Sequence, residues 1–211
     1  MAANGKAADD GRVTDLATTT NTRLAEARSF GMAGKWWSGW YYSPPAGTFS
    51  TNSTNPSQKT QQWVPLWVPQ ATAIDRIGLE ITTAAPSART VTLLIYANDP
   101  LTNGPGALWF NAGTIDPTGT AGVREITISK TLTRGLWWLS FHTTDQIYYR
   151  GRVGLDPTIG ASSGSASVNV PRNALTNYLN DIADPAPSLS TLKTGNSSGS
   201  VHMFARAACV S

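Results

Sequence analysis

Cysteine is almost missing from this chain. Cys209 stands alone, so no intramolecular disulfide can hold the fold. A small secreted scaffold normally relies on an even set of cysteines, and Cys209, beside Ala207, Ala208 and Val210, reads as a buried, inert thiol. Histidine is scarce too, with only His142 and His202. No His-x-His, His-Glu-x-x-His or Cys-x-x-Cys spacing occurs, so no metal site is read and no cofactor is expected. Charge is also thin: Asp, Glu, Lys and Arg make up 14 % of the chain, against about 25 % in an ordinary soluble domain. Thr, Ser, Asn and Gly fill the surface instead. That balance suits an extracellular or virion β protein better than a cytosolic α/β enzyme.

Clustered positive charge is absent. The net charge is +3, but Lys and Arg stand singly along the chain. A nucleic-acid footprint needs a basic patch, so no nucleic-acid partner is expected. Long apolar runs are absent as well. None reaches the roughly 20 residues that span a bilayer, and Met1-Ala2-Ala3-Asn4-Gly5-Lys6 lacks the apolar region of a secretory signal. No membrane partner is expected.

What is present is alternation. Ile77, Leu79 and Ile81 alternate with Arg76, Gly78, Glu80 and Thr82, the period of two that gives a strand one apolar and one polar face. Val91, Leu93 and Ile95 repeat the pattern, as do Ile126 and Ile128 against Glu125, Thr127 and Ser129. Breakers stand between these runs: Ala85-Pro86-Ser87, Asn98-Asp99-Pro100, Asn103-Gly104-Pro105-Gly106 and Asp116-Pro117-Thr118-Gly119. Each is turn chemistry. Asn98, Asp99 and Asn103 offer oxygens to a cation, but three such groups make a poor calcium cage and read better as turn formers. Short strands at near-regular spacing predict a mainly β chain, an antiparallel β-sandwich of jelly-roll-like kind.

Two domains are read: an N-terminal arm or attachment segment over 1–34, helical or extended, and the sandwich over 35–211. In the arm, Val13, Leu16, Thr20, Leu24 and Ala27 mark one face of a short helix from about Asp10 to Ala27. Its stripe is thin and needs a partner, either its own domain or the same segment of other chains. Lys35 to Tyr42 reads as a first strand, with Trp36, Trp37, Trp40, Tyr41 and Tyr42 covering both faces. Those rings either plug a core or subunit interface, or form a stacking platform for sugars. Gln62 to Pro69 reads as a strand; Pro65 and Pro69 place it at a sheet edge or a bulge. The apolar run Leu136, Trp137, Trp138, Leu139, Phe141 suits a central strand. Arg172 to Ile182 reads as one short helix, and Val201 to Ala207 as a closing strand.

The words Ile74-Asp75-Arg76-Ile77-Gly78, Ile81-Thr82-Thr83-Ala84, Leu94-Ile95-Tyr96-Ala97-Asn98-Asp99, Gly104-Pro105-Gly106-Ala107-Leu108, Ala112-Gly113-Thr114-Ile115-Asp116 and Gly135-Leu136-Trp137-Trp138-Leu139 resemble a module of bacteriophage minor tail and tail-fibre proteins. The resemblance covers roughly 62–142. It implies a β-sandwich in a virion appendage, on tail or head, that often contacts the host surface. It brings no catalytic residues. The implied partners are other virion structural proteins, copies of the same chain with a trimer favoured, and a host surface glycan.

Three functions follow in order. The first is a structural virion subunit that attaches to the host, with Val13, Leu16, Leu24, Trp36, Trp37 and Trp40 at oligomer or attachment interfaces. The second is a carbohydrate-binding module without catalysis, with Tyr148, Tyr149, Arg150 and Arg152 on the ligand, since rings stack on sugars and guanidinium groups bond hydroxyls. The third is an envelope-polymer depolymerase. Glycoside hydrolysis needs two facing carboxylates. Asp75 and Glu80 fall on opposite parities of one strand, and Glu80 and Glu125 meet only if the register allows. No enzyme is expected.

Overall fold

The computed structural model describes residues 35–43, 48–54, 59–86, 89–153, 175–178, 181–188, 193–194 and 200–208. The fold is that of the compact unit spanning 36–211. The arm helix, with Val13, Leu16 and Leu24, lies outside the described residues, as does Cys209.

Two antiparallel sheets pack face to face as a β-sandwich, with no helix among the described residues. The strands are β1 (Tyr41–Tyr42), β2 (Thr48–Thr54), β3 (Thr60–Val68), β4 (Thr72–Thr83), β5 (Val91–Asp99), β6 (Gly104–Ile115), β7 (Gly122–Leu132), β8 (Gly135–Thr143), β9 (Tyr148–Val153), β10 (Leu175–Tyr178), β11 (Lys193–Thr194), β12 (Ser200–Val201) and β13 (Met203–Ala207). The seven-stranded sheet A runs β1-β13-β4-β9-β12, with β7 on β4 and β2 on β9. The six-stranded sheet B runs β11-β10-β3-β8-β5-β6. From β3 to β9 the chain changes sheet at every step except the β5–β6 hairpin, so each layer is stitched from distant sequence.

Alternation decides which side chains enter the core. On β4, Ile77, Leu79 and Ile81 are fully buried; on β5, Val91, Leu93 and Ile95 meet them, and Leu139 and Phe141 of β8 complete the contact. The pattern slips once. A bulge between Ile74 and Arg76, against β7, sends Ile74 inward with Ile77, and one extra residue in a strand does this by displacing the pleat. Asp75 and Arg76 are thereby both left outside. The expected opposition of Asp75 and Glu80 is therefore wrong, because the bulge resets the parity.

β3 is paired on one side with β8 along its whole length, but β10 reaches only Thr60 to Trp63. Pro65 thus sits where β3 has one described neighbour, which is where a strand tolerates a missing N–H. Among the described residues the edge assignment fits Val64 to Val68 and fails for Thr60 to Trp63. β10 itself corrects the helix read over 172–182. Leu175 to Tyr178 is a strand in register with Gln62 and its neighbours. Four apolar residues in so short a window do not separate the two periods, and the open edge of β3 decides the matter. The expected first strand also shrinks to Tyr41–Tyr42, since Trp37 to Trp40 form a turn with Gly39 at φ 77°.

The outer face of sheet B is closed by the segment 181–188. Trp63, Leu94, Tyr96 and Trp138 pack there against Ile182, Ala183 and Ala186. The buried amide of Gln61 donates to the Tyr96 hydroxyl at 2.8 Å and the Ser140 hydroxyl at 3.1 Å, and its oxygen accepts from Ala183 N–H at 3.2 Å. The Tyr96 hydroxyl donates to the Ala183 carbonyl, and burial raises its pKa to about 12. Sheet B therefore offers no open face at this position. Sheet A does.

Candidate functional site

On the outer face of sheet A, strand register lines up residues from three elements. Phe204 of β13 stands opposite Gly78 of β4, which stands opposite Glu125 of β7. One step along, Arg206 pairs with both Tyr41 and Arg76. Gly78 is what allows the row to lie flat. A Cβ there would meet the Phe204 ring at 2.8 Å and the Arg124 carbonyl at 2.5 Å, so the ring occupies the space a side chain would need.

The result is an open groove of about 460 Å³ lined by Tyr41, Ser43, Val123, Glu125, His202 and Phe204, with Tyr42 beneath. That size falls within the roughly 300–1,000 Å³ of small-molecule sites. The rings of Tyr41 and Phe204 meet edge to face, 5.3 Å apart at 88°, and His202 tilts against Phe204 at 5.9 Å. Tyr41 is 48 % and Val123 55 % exposed, whereas Phe204 is 7 % exposed. Phe204 is thus a fixed floor and Tyr41 an open wall.

Charge around the groove is paired. Arg206 forks onto Asp75 with two bonds of 2.8 Å and leans over the Tyr41 ring at 5.7 Å. Arg150 forks onto Glu80 at 3.0 and 2.8 Å. That hydrogen bond holds the Glu80 carboxyl below the usual range and raises the pKa of the arginine. Arg76 approaches Glu125 only to 4.0 Å, the loosest of the three pairs. Glu125 also hydrogen-bonds Tyr41, which raises the phenol's pKa. The net charge of these six groups is zero, and the carboxylate of Glu125 is the least engaged by an arginine.

The expected ligand cluster on β9 does not assemble. Strand parity splits it, a consequence of the same period of two used elsewhere in the chain. Tyr149 points into the core, 1 % exposed, edge-on to Phe141 at 5.2 Å; as a ligand residue it is a miss. Arg150 faces outward but is committed to Glu80. Tyr148 is half-buried and stands opposite Thr83, and the side chain of Arg152 lies outside the described residues.

Among the expected interface rings, Trp36 is also a miss. It is 6 % exposed in its own core and stacks on Tyr42 at 4.3 Å, 1° from parallel. Trp37 and Trp40 are each 66 % exposed, on a turn tied to β13 by Gly39 N–H to the Ala207 carbonyl at 2.9 Å.

The groove residues Phe204, His202 and Val123 escaped the sequence reading because they come from strands far apart in the chain, β7 and the stretch 202–204. Their signal was present: on 203–207, Met203, Ala205 and Ala207 share one parity, leaving Phe204 on the polar side.

Among the described residues no group of three or more His, Cys, Asp or Glu is placed to hold a metal ion. Asp99 accepts from Leu101 N–H at 3.0 Å and from the Thr102 hydroxyl at 2.6 Å, the work of a turn former, and these bonds lower its pKa. No helix among the described residues is long and apolar enough to cross a membrane. No family model matches this chain, and no curated protein or solved structure matches it. The class defined by the fold and the groove is an antiparallel β-sandwich with an open aromatic groove on one sheet.

Proposed function

We propose that this protein is a structural and recognition subunit of a virion appendage of the phage tail or head fibre kind, attaching the particle to its host. The observation that carries this reading is a self-sufficient core that still leaves Trp37, Trp40 and Tyr41 exposed beside an open groove. Rings left in solvent by a domain with a filled core mark an interaction surface. The low charge and the phage-type strand and turn words support the setting. In this reading the 1–34 segment mounts the subunit, Trp37 and Trp40 meet neighbouring subunits, and a trimer is the favoured assembly. In this reading the subunit binds its host ligand and does not cleave it.

The test is direct. Mass spectrometry and antibody labelling of purified particles should find the chain at an appendage, and the soluble protein should compete with particles for host cells. Particles that lack the chain would overturn the virion role. A free-standing carbohydrate-binding module is the second reading, favoured by the groove alone.

A further inference from the structure

We infer that the groove of Tyr41, Val123, Glu125, His202 and Phe204 is a binding site for a neutral hexopyranose unit of a host-envelope polysaccharide. The inference rests on the recognition role proposed above and supplies its ligand.

Three features choose the ligand. First, the groove lies across the face of sheet A, where β4 is held between β13 and β7. A peptide could add as a strand only along the outer edge of β7, beside the groove and not over it. Recognition over the face itself must come from side chains. Second, the side chains are of two kinds at right angles. Tyr41 and Phe204, at 88° to each other, offer one ring face and one ring edge, and Val123 extends the apolar surface. A pyranose has an apolar face of C–H groups that lies on such a ring. Around the same groove stand the Glu125 carboxylate, the His202 imidazole and the Ser43 hydroxyl, which suit the hydroxyls at the rim of that sugar ring.

Third, charge excludes the alternatives. Asp75 with Arg206, Glu80 with Arg150 and Arg76 with Glu125 pair off around the groove. An anionic polymer needs unpaired cations, and the arginines here are already matched with carboxylates. The loosest carboxylate, Glu125, repels an anion further. A ring with neither charge fits this balance.

The experiment titrates the full-length protein with four soluble trisaccharides, of gluco, galacto, manno and N-acetylglucosamine type, and with a polyphosphate-containing acidic polysaccharide, following tyrosine and tryptophan fluorescence and calorimetry. At least one neutral trisaccharide is expected to bind. Tyr41→Ala should weaken that binding about ten-fold or more, in line with the loss of a stacked ring of roughly 1.4 kcal/mol. Val123→Arg, a surface change at a residue 55 % exposed, should block the groove to the same extent without touching the core. Tyr148→Ala should leave affinity unchanged. Circular dichroism and melting confirm that each variant is folded. The inference is overturned by failure of all four sugars, by binding of the acidic polymer alone, or by binding that survives both Tyr41→Ala and Val123→Arg. These outcomes are separable from the virion role: particle composition tests one, sugar titration the other.

Discussion

Gly78 shows how much one missing side chain can determine. The Phe204 ring and the Arg124 carbonyl both crowd the position where its Cβ would be. Backbone cannot swing aside as the tip of a side chain can, so Gly78→Ala must move β7 or expel the ring. Overpacking of this kind costs about 1–3 kcal/mol, which for a domain of this size lowers Tm by roughly 2–12 °C. Calorimetry of the variant checks this, and an unchanged Tm would show that the ring has room to spare. Glu80 gives a second test. Its folded pKa lies below the ordinary carboxylate value because Arg150 hydrogen-bonds the charged form. The contribution is therefore present above the unfolded pKa of about 4.3 and is lost as pH falls through the lower folded value. Both side chains are about 30 % exposed, so solvent screening limits the pair to about 1 kcal/mol or less. Urea midpoints should show Glu80→Gln less stable than the parent at pH 7 and equal to it near pH 2. A constant gap across that range would contradict the assignment.

At the scale of elements, the sequence was most legible where a strand is buried on one face. Ile77, Leu79 and Ile81 announced β4, and the continuous run from Leu136 to Phe141 announced β8, which pairs with β3 on one side and β5 on the other. It was least legible where pairing, not pattern, sets the conformation. Nothing in Ile74-Asp75-Arg76 marks the bulge that puts Asp75 beside Arg206. Leu175 and Tyr178 look helical until the open edge of β3 is known. Part of the site was hidden for the same reason: Tyr41, Val123 and Phe204 are far apart in the chain and meet only through the register of β1, β7 and β13 with their neighbours. The error over Tyr149 was avoidable, since its parity opposes that of Tyr148 and Arg150. The pairing pattern makes a prediction in hydrogen exchange. Amides of β8, flanked on both sides and buried through Thr143, should exchange slowest, and those of β7, whose outer residues are exposed, much faster. Equal protection of the two strands would contradict the topology.

At the scale of the molecule, the balance between core and surface is the informative quantity. Among the described residues, twenty-two buried ones form one core cluster between the sheets, enough for the sandwich to stand without help from the exposed rings. In the proposed reading Trp37 and Trp40 serve assembly rather than folding. Analytical ultracentrifugation should find an oligomer, with a trimer expected, and the double variant Trp37→Ser, Trp40→Ser should shift it to monomer while changing Tm by only a few degrees. A parent protein that sediments as a monomer at high concentration would remove the oligomer from the account.

The claim on which the functional account turns is that sheet A recognises its ligand through its outer face. Amide chemical-shift mapping with the tightest-binding neutral trisaccharide tests it most directly. The account predicts perturbations gathered on 41–43, 123–125 and 202–204, with the β9 residues Tyr148 and Tyr149 quiet. Shifts centred on β9 or on sheet B, or no shifts with any of the four sugars, would contradict it.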